Sequence, residues 1–274
     1  LNASENGVSG LTIDLENNEL NGNANISGFE HVVGTSGADT IIGSDADNTI
    51  NGGAGNDHIE AGHGDDVIDG GAGTTNKLSY QNDTGAIAID LDAGSVVDGN
   101  GDTDTYSNIQ QVDGSAQNDT FAITSTMIAT LGVNDQFDGL GDLGDATGDT
   151  LSISGTLDFD LADLVDNFSN FKTLDLVDAE PESAVDTFDI NLADVHSLLG
   201  ADSGEFNVRV INGTDVPQPT DGGGYTFLSE TDTGDILTKQ YLYDNGGDVI
   251  TINVEIVPII GTEFDDPAFD GLWP

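Results

Sequence analysis

The sequence contains no cysteine and almost no positive charge. Its 274 residues include 51 acidic side chains against four lysines and arginines, for a formal net charge of −47. Disulfide bonds and thiolate chemistry are therefore excluded. Because phosphate groups are bound by cationic side chains, this charge argues against a nucleic-acid partner. It also argues against docking on an anionic membrane surface.

The sequence also lacks a long apolar run and a leader segment. No stretch approaches the ~20 apolar residues needed to span a bilayer, so membrane insertion is not expected. The N-terminal letters LNASENGVSG contain neither the basic region nor the apolar run of a signal peptide. We therefore expect this chain to have been processed, trimmed or excised from something longer.

High acidity combined with few aromatic residues is typical of disordered chains. Here, however, 36% of the residues are hydrophobic, and they recur at regular intervals. A net charge of this size opposes compaction until cations neutralise it. The composition therefore predicts an acidic protein that folds only when cations bind.

Five consecutive nine-residue blocks occupy residues 34–78, and they carry most of the information in the sequence. They read GTSGADTII, GSDADNTIN, GGAGNDHIE, AGHGDDVID and GGAGTTNKL. In the first four, the sixth place holds Asp39, Asn48, Asp57 or Asp66, and the eighth place holds Ile41, Ile50, Ile59 or Ile68. A nine-residue period fits neither a helix face nor a plain strand. It predicts short strands stacked into a solenoid.

The turns of such a solenoid have the chemistry of a calcium site. Calcium takes six to eight oxygen ligands from carboxylates and backbone carbonyls. Glycine allows the φ > 0 conformations that turn carbonyls inward. Because one block cannot bury its own apolar face, the blocks must stack. The pattern therefore predicts several bound calcium ions.

Residues 34–80 resemble the RTX family, which is defined by calcium-binding nonapeptides. The resemblance implies a parallel β-roll with two nonapeptides per coil. It also implies that each ion lies between alternate turns, held by sixth-place aspartates and turn carbonyls. Carried over to this sequence, the pairs are Asp39 with Asp57 and Asn48 with Asp66. The first pair is expected to be the stronger site, because the second contains a neutral ligand.

The fifth block departs from the pattern, and two alignments are open. Without a gap, Thr75 takes the ligand place and Lys77 the apolar place. With one inserted residue, Asn76 becomes the ligand and Leu78 the core residue. Neither alignment supplies a carboxylate, so a strong site between Asp57 and this block is not expected.

A unit of roughly eighty residues repeats around the blocks. Residues 28–41 (GFEHVVGTSGADTI) match 108–121 (NIQQVDGSAQNDTF), which aligns Asp39 with Asp119 and Ile41 with Phe121. A degenerate nonapeptide, GDATGDTL, follows at 144–151. We predict an all-β chain divided into an N-terminal strand unit (1–33), a short parallel β-roll (34–80), a second strand unit (81–150) and a C-terminal domain (151–274).

The C-terminal domain is predicted to be mostly antiparallel with one or two short helices. The helices are expected at 161–168 and 192–199, where apolar residues recur at helical spacing. A hairpin is expected to pair 236–243 with 249–257 across the turn letters Asp-Asn-Gly-Gly.

Further acidic positions are weaker metal candidates. The letters DGNGDTD at 98–104 have the spacing of an EF-hand start, but they lack its glycine and its terminal glutamate, so only a lone calcium loop remains. The weaker candidates are Asp98, Asn100, Asp102, Asp104, Asp119, Asp145 and Asp149. No protease, esterase or nucleotide-binding motif is present, and we expect no enzymatic activity.

These observations favour a non-enzymatic segment of a secreted bacterial surface protein such as an RTX adhesin. The resemblance implies type I secretion of an unfolded chain that folds in extracellular calcium, with a host or cell-surface ligand as partner. One alternative is a surface-layer or filament subunit that self-assembles through calcium bridges. Another is the calcium-binding tail of a secreted hydrolase.

Overall fold

The structure, a computed structural model, describes most of the chain up to residue 257. The described residues are 1–4, 10–24, 26–140, 148–155, 163–178, 189–190, 195, 198–199, 203–211, 218–219, 225–232, 237–244 and 249–257. They fall into two compact units. The first comprises Leu1–Ala122 and Leu131–Asp149, and the second comprises Ile123–Thr130 and Thr150–Pro274. The four segments drawn from the sequence are a finer division and remain a prediction.

Fifteen short strands belong to or begin in the first unit. They are β1 (Thr12–Asp14), β2 (Glu19–Leu20), β3 (Asn23–Ala24), β4 (His31–Val33), β5 (Thr40–Ser44), β6 (Thr49–Asn51), β7 (His58–Gly62), β8 (Val67–Asp69), β9 (Lys77–Ser79), β10 (Ala88–Asp90), β11 (Ser95–Val97), β12 (Thr103–Ser107), β13 (Gln111–Asp113), β14 (Thr120–Thr124) and β15 (Gln136–Asp138).

Within the first unit these strands form two sheets, and from β3 to β10 and again from β12 to β15 successive strands lie in alternate sheets. One sheet has the order β15-β13-β9-β7-β5-β1-β2-β3, and the other has the order β14-β10-β11-β12-β8-β6-β4. The nonapeptide strands β4 to β9 enter the two sheets in turn, and neighbours within each sheet run parallel. This is the predicted β-roll with two nonapeptides per coil.

The eighth-place side chains of the blocks form the core of the roll. Ile41 pairs with Ile59 in one sheet, and Ile50 pairs with Ile68 in the other. All four are buried. Because successive side chains point to opposite faces, only alternate residues of a strand face inward, such as Ile59 and Ala61 in β7. Stacking in register therefore turns single isoleucines into a continuous apolar column.

The eighty-residue repeat is visible in the strand pairing. Ile13 pairs with Ile41 across β1 and β5, and Ile89 pairs with Phe121 across β10 and β14. The first pair lies in one sheet and the second pair in the other. Equivalent strands of the two copies therefore occupy opposite sheets of the roll. Within the second copy, β11 runs antiparallel to both β10 and β12, as β2 does to β1 and β3 in the first.

In the residues that the structure describes, the second unit contains nine strands and a four-residue helix with defined ends. They are α1 (Ser125–Ile128), β16 (Thr150–Gly155), β17 (Phe168–Ser169), β18 (Thr173–Asp178), β19 (Asp189–Ile190), β20 (Ser203–Ile211), β21 (Gln218–Pro219), β22 (Tyr225–Asp232), β23 (Leu237–Asp244) and β24 (Val249–Val257). The helix was not predicted; its start is capped by Thr124, whose Oγ1 accepts from the N–H of Met127 at 3.2 Å.

The sheet of this unit corrects the prediction of a mostly antiparallel domain. β16, β18, β20 and β24 are parallel neighbours, and only β22 and β23 add to them in antiparallel fashion. The expected hairpin is confirmed as β23 and β24, although its turn lies outside the described residues. Alternating apolar residues mark a strand but carry no information about the direction of its neighbour, so the sequence could not decide this point.

Of the first predicted C-terminal helix, the structure describes residues 163–168, which contain a single turn. The N–H groups of Asn167 and Phe168 both donate to the carbonyl of Leu164, at 3.0 and 2.9 Å. Phe168 then begins β17 and is buried, which ends the turn in a strand. Of the second predicted helix, the structure describes Val195, Leu198 and Leu199, which are helical and buried. No helix in the described ranges is long and apolar enough to cross a membrane.

Candidate metal centre

Sixth-place side chains stack into a first ladder, formed by Asp39, Asp57 and Asn76. Asp57 Oδ1 accepts from the N–H of Asp39 at 2.8 Å, and Asn76 Oδ1 accepts from the N–H of Asp57 at 3.0 Å. Asp39 Oδ1 in turn accepts from the N–H of Leu11 at 2.6 Å. Each sixth-place side chain thus fixes the backbone of the preceding coil.

A second ladder, formed by Asn48, Asp66 and Asp104, runs along the other sheet. Asp66 Oδ1 accepts from the N–H of Asn48 at 2.6 Å, and Asp104 Oδ1 accepts from the N–H of Asp66 at 2.9 Å. The Tyr80 hydroxyl donates to Asp104 Oδ2 at 2.7 Å. Both predicted pairs, Asp39 with Asp57 and Asn48 with Asp66, are therefore brought together.

Two carboxylates in these ladders are only half satisfied. The Oδ2 atoms of Asp57 and Asp66 are buried and have no hydrogen-bond partner among the described residues. Leaving a buried anionic oxygen unpaired costs at least about 1–3 kcal/mol. A bound cation would remove that cost, so the orphaned atoms fit a metal ligand set.

Burial also shifts the protonation of these groups. It raises the pKa of Asp57 to about 6, with a smaller contribution from the nearby charge of Asp39. It raises the pKa of Asp66 to about 8, with the charges of Asp104, Asp47 and Asp98 adding to the effect. Hydrogen bonds from the backbone N–H groups lower both pKa values, but their effect is smaller than that of burial.

Burial likewise raises the pKa of Asp104 to about 6, although the Tyr80 hydroxyl and the Asp66 N–H both stabilise its charged form. In all three acidic groups the protein stabilises the charged form only in part, so the raised pKa values favour the protonated form. Nearby positive charge is the arrangement that lowers such pKa values.

Glycines bring the turns close enough to share oxygens. A Cβ added to Gly52 would lie 2.5 Å from Asp57 Oδ2 and 2.7 Å from the carbonyl oxygen of Gly70. Gly53 has φ +99°, and a Cβ there would lie 2.2 Å from the carbonyl oxygen of Thr35. Any larger residue would push these turns apart.

The donor set is made of oxygen atoms, as hard cations require. In the part of the chain that the structure describes, no group of three or more His, Cys, Asp or Glu side chains is placed to hold a metal ion. An ion bound to the ladders would therefore take most of its ligands from backbone carbonyls. That composition suits calcium, which accepts many neutral oxygens in flexible geometry.

The structure decides between the two alignments of the fifth block. Leu78 is fully buried and Asn76 joins the first ladder, so the block contains one inserted residue. Lys77 points away from the core and forms a 2.7 Å ion pair with Asp113. Asn76 Nδ2 donates to the carbonyl of Asn108 at 3.0 Å. As expected, no carboxylate follows Asp57 on this ladder.

The four candidates in residues 98–104 make separate hydrogen-bond contacts. Asp98 Oδ1 accepts from the N–H groups of Asn100, Gly101 and Asp102 at 2.8–2.9 Å, so this oxygen closes its own turn. Asn100 contacts the ring of His63, and Asp102 accepts from the N–H of Gly64 at 3.2 Å. The lone calcium loop stays a prediction: Asp98 Oδ2 is buried with no hydrogen-bond partner among the described residues, while Asp104 belongs to the second ladder.

The second copy of the repeat builds a ladder of the same design. Asp119 Oδ1 accepts from the N–H of Ile87 at 2.8 Å and from Ser115 Oγ at 2.9 Å. Asp149 Oδ1 accepts from the N–H of Asp119 at 2.7 Å. Asp119 is thus the structural counterpart of Asp39, and Asp149 takes the place of Asp57. Asp145 lies outside the described residues.

A family model agrees with this geometry. The model described as the RTX calcium-binding nonapeptide repeat (4 copies) matches residues 26–59 and 42–75. This segment consists of RTX repeats. RTX nonapeptide repeats bind calcium ions, and this chain contains several copies. The orphaned Oδ2 atoms of Asp57 and Asp66 both lie in the matched region.

Other comparisons add little to the RTX assignment. The crystal structure of the extracellular lipase LipA from Serratia marcescens is 14% identical in sequence and superimposes with a TM-score of 0.27. The alignment covers 86% of this chain and 38% of the lipase, so the chain spans well under half of that protein. No curated protein sequence matches the chain.

Two participants in the site could not be found from the block pattern. Tyr80 follows the last block and reaches Asp104, and Thr35 supports Asp39 through its hydroxyl, with Thr35 Oγ1 2.9 Å from Asp39 Oδ1. For Thr35, the only available signal is its match to Ser115 in the eighty-residue repeat, which supports Asp119 in the same way.

Proposed function

We propose that the RTX segment is the calcium-dependent folding element of a secreted, non-enzymatic surface protein of the adhesin type. Within it, Asp39 and Asp57 would hold one ion, and Asn48 and Asp66 a second. The observation that supports this most directly is the buried Oδ2 of Asp57, which has no hydrogen-bond partner in the described ranges.

The charge balance supports a fold that depends on metal. The chain carries a net charge of −47, and both ladders concentrate carboxylates in buried positions. Without cations, this repulsion opposes the coil. Because a metal that binds only the folded state stabilises it by mass action, calcium affinity becomes folding free energy.

This linkage suits export of an unfolded chain. Where calcium is scarce, the acidic repeats remain uncompacted, and at high external calcium they close into the roll. The second unit, which the RTX model does not match, would then carry the contact surface for a cell-surface ligand or serve as a structural extender.

The test is a calcium titration of the full chain followed by far-ultraviolet circular dichroism. Wild-type protein and Asp57→Asn are compared, with Glu30→Gln as the control because Glu30 is exposed and outside both ladders. We expect calcium to induce β structure in wild type and control, and to act at markedly higher concentration in Asp57→Asn. A calcium-free chain that is already fully folded and does not respond would overturn the proposal.

The oligomeric state tests the surface-protein part of the proposal. Sedimentation in saturating calcium is expected to show a monomer at all protein concentrations. Calcium-dependent polymers would instead indicate a self-assembling layer or filament. Hydrolysis of ester or peptide substrates by the purified chain would contradict the non-enzymatic assignment.

A further inference from the structure

Residues 99–107 occupy a full nonapeptide turn of the roll, although they lie outside the region matched by the RTX model. They read GNGDTDTYS, with glycine first, Asp104 sixth and Tyr106 eighth. β12 runs parallel to β8, with Tyr106 opposite Ile68. Tyr106 thus occupies the place that isoleucine takes in each of the first four blocks.

The turn repeats the contacts of the blocks before it. The N–H of Asp65 donates to Asp47 Oδ1 at 3.1 Å, and the N–H of Thr103 donates to Asp65 Oδ1 at 2.7 Å. At the next position, Asp104 accepts from Asp66 as Asp66 accepts from Asn48. Residues 99–107 therefore continue the column formed by blocks two and four.

A long intervening segment separates this turn from block four, so the nine-residue period does not reveal the turn. Successive blocks of one column are 18 residues apart, whereas Asp66 and Asp104 are 38 apart. In the interval, the chain forms β9 in the other sheet and then β10 and β11, and β11 pairs antiparallel with both β10 and β12. A search for uninterrupted nonapeptides cannot recognise a turn that follows such an interruption.

We propose that Asp66 and Asp104 hold a calcium ion between block four and this displaced turn. The inference rests on the proposed function, because it requires the ladders to be calcium sites. Asp66 is 1% exposed, and its Oδ2 has no hydrogen-bond partner within the described ranges. Asp104 is fully buried beside it on the ladder.

This site contains two carboxylates, whereas the neighbouring pair of Asn48 and Asp66 contains one. Because calcium affinity increases with the number of charged ligands, the stronger site of the second ladder lies at Asp104. The Tyr80 hydroxyl, at 2.7 Å from Asp104 Oδ2, positions that carboxylate. Calcium bound here would hold the intervening segment, residues 80–98, against the nonapeptide blocks.

Isothermal titration of calcium into the full chain tests the site. Asp104→Asn keeps an oxygen that can accept from the N–H of Asp66 but removes the charge. We expect it to lose one bound ion or to bind that ion at least tenfold more weakly, while its dichroism in saturating calcium stays that of wild type. Glu30→Gln is the control, and Asp57→Asn reports separately on the first ladder.

The two proposals fail in different ways. If Asp57→Asn weakens calcium binding but folded Asp104→Asn keeps every ion and affinity of wild type, the displaced-turn site is wrong and the proposed function stands. If neither variant changes calcium binding, the proposed function itself is wrong.

If Asp104→Asn does not fold, terbium luminescence tests the site between Asp66 and Asp104 instead. Terbium is used in place of calcium and is excited through nearby tyrosines. Tyr80→Phe keeps both carboxylates, so it is expected to bind as many terbium ions while losing part of the sensitised emission. Unchanged emission in Tyr80→Phe would overturn the site.

Discussion

Asp57 Oδ1 accepts a 2.8 Å hydrogen bond from the N–H of Asp39, eighteen residues earlier. Its other oxygen, Oδ2, is buried with no such partner in the described part of the chain. One oxygen of this carboxylate therefore holds successive coils in register, and the other is the oxygen that we propose binds a cation. The two roles can be separated by substitution.

Asp57→Asn is expected to change stability in opposite directions with and without calcium. An amide retains the acceptor for the N–H of Asp39 and removes a buried charge, so in chelator the variant should be more stable by about 1–2 kcal/mol. In saturating calcium it should be less stable than wild type, because it has lost a charged ligand. Urea unfolding in both conditions measures the two differences.

Asp57→Ala is the matched comparison, since it removes both oxygens. It should be destabilised in chelator as well as in calcium, by about 1–3 kcal/mol in the former, because the buried N–H of Asp39 loses its acceptor. If Asp57→Asn gains as much stability from calcium as wild type does, Asp57 is not a ligand.

The calcium-free protein should lose stability as pH rises from 4 to 8. Burial raises the folded-state pKa of Asp57 to about 6 and of Asp66 to about 8, from an ordinary value of 3.8. Below 3.8 both states are protonated and there is no penalty. As pH rises through the interval between the two values, only the unfolded state releases its proton freely, so unfolding is favoured.

Urea midpoints in chelator at several pH values measure this dependence. Asp66→Asn should flatten the profile between pH 6 and 8, where wild-type Asp66 still differs between the two states, and should leave the part below pH 6 to Asp57 and Asp104, whose pKa values are both raised to about 6. Saturating calcium should reverse the trend, because protons compete with the metal for the same oxygens. A profile in chelator that rises towards pH 8 would contradict the assignment.

Gly52→Ala is expected to disrupt the first ladder through sterics alone. The added Cβ would meet Asp57 Oδ2 at 2.5 Å and the Gly70 carbonyl at 2.7 Å, both too short, so the turns must separate. We expect a loss of more than about 2 kcal/mol and a weaker calcium response.

Gly132→Ala provides the control for this substitution. The nearest atom to its Cβ would be Asp135 Oδ2 at 3.5 Å, an ordinary contact, so its stability should change by less than about 0.5 kcal/mol. Thermal unfolding of the two variants in calcium makes the comparison. Equal effects would show that the close approach at Gly52 is not needed.

Asp39→Ala and Asp119→Ala should destabilise the protein by similar amounts. Asp39 accepts from the N–H groups of Leu11 and Thr35, and Asp119 accepts from those of Ile87 and Ser115. Each substitution leaves two buried donors unsatisfied, at about 1–3 kcal/mol apiece.

The corresponding asparagine variants, Asp39→Asn and Asp119→Asn, each retain one acceptor and should lose about half as much stability. Urea unfolding in chelator measures all four variants. A large loss for Asp39→Ala with none for Asp119→Ala would mean that the second copy of the repeat does not support its coil as the first does.

Magnesium should replace calcium poorly. An ion held by the ladders takes most of its ligands from backbone carbonyls, whereas magnesium demands octahedral geometry and keeps several waters. At equal millimolar concentration, we expect magnesium to raise the unfolding temperature by less than half as much as calcium. Equal stabilisation would point to general screening of the negative charge rather than to built sites.

The nine-residue period was sufficient to place the first four blocks. Asp39, Asn48, Asp57 and Asp66 fall on the ladders, and the eighth-place isoleucines fall in the core. The period failed at the fifth block, where one inserted residue shifted the ligand place to Asn76, and only the burial of Leu78 resolved the alignment. In the C-terminal half the strand positions were readable, but their parallel direction was not, because alternation is the same in both orientations.

The sequence by itself determined the chemistry of the turn, because glycine, carboxylate and isoleucine act within one nonapeptide through local backbone geometry. Only the tertiary structure decided which distant turns stack, as with Asp104 on Asp66 and Asp149 on Asp119. The reason is that closing a loop costs little more when the loop is long: each doubling of length costs only about 0.6 kcal/mol. A turn can therefore return to the column after 38 residues almost as readily as after 18, and no local pattern records where it returns.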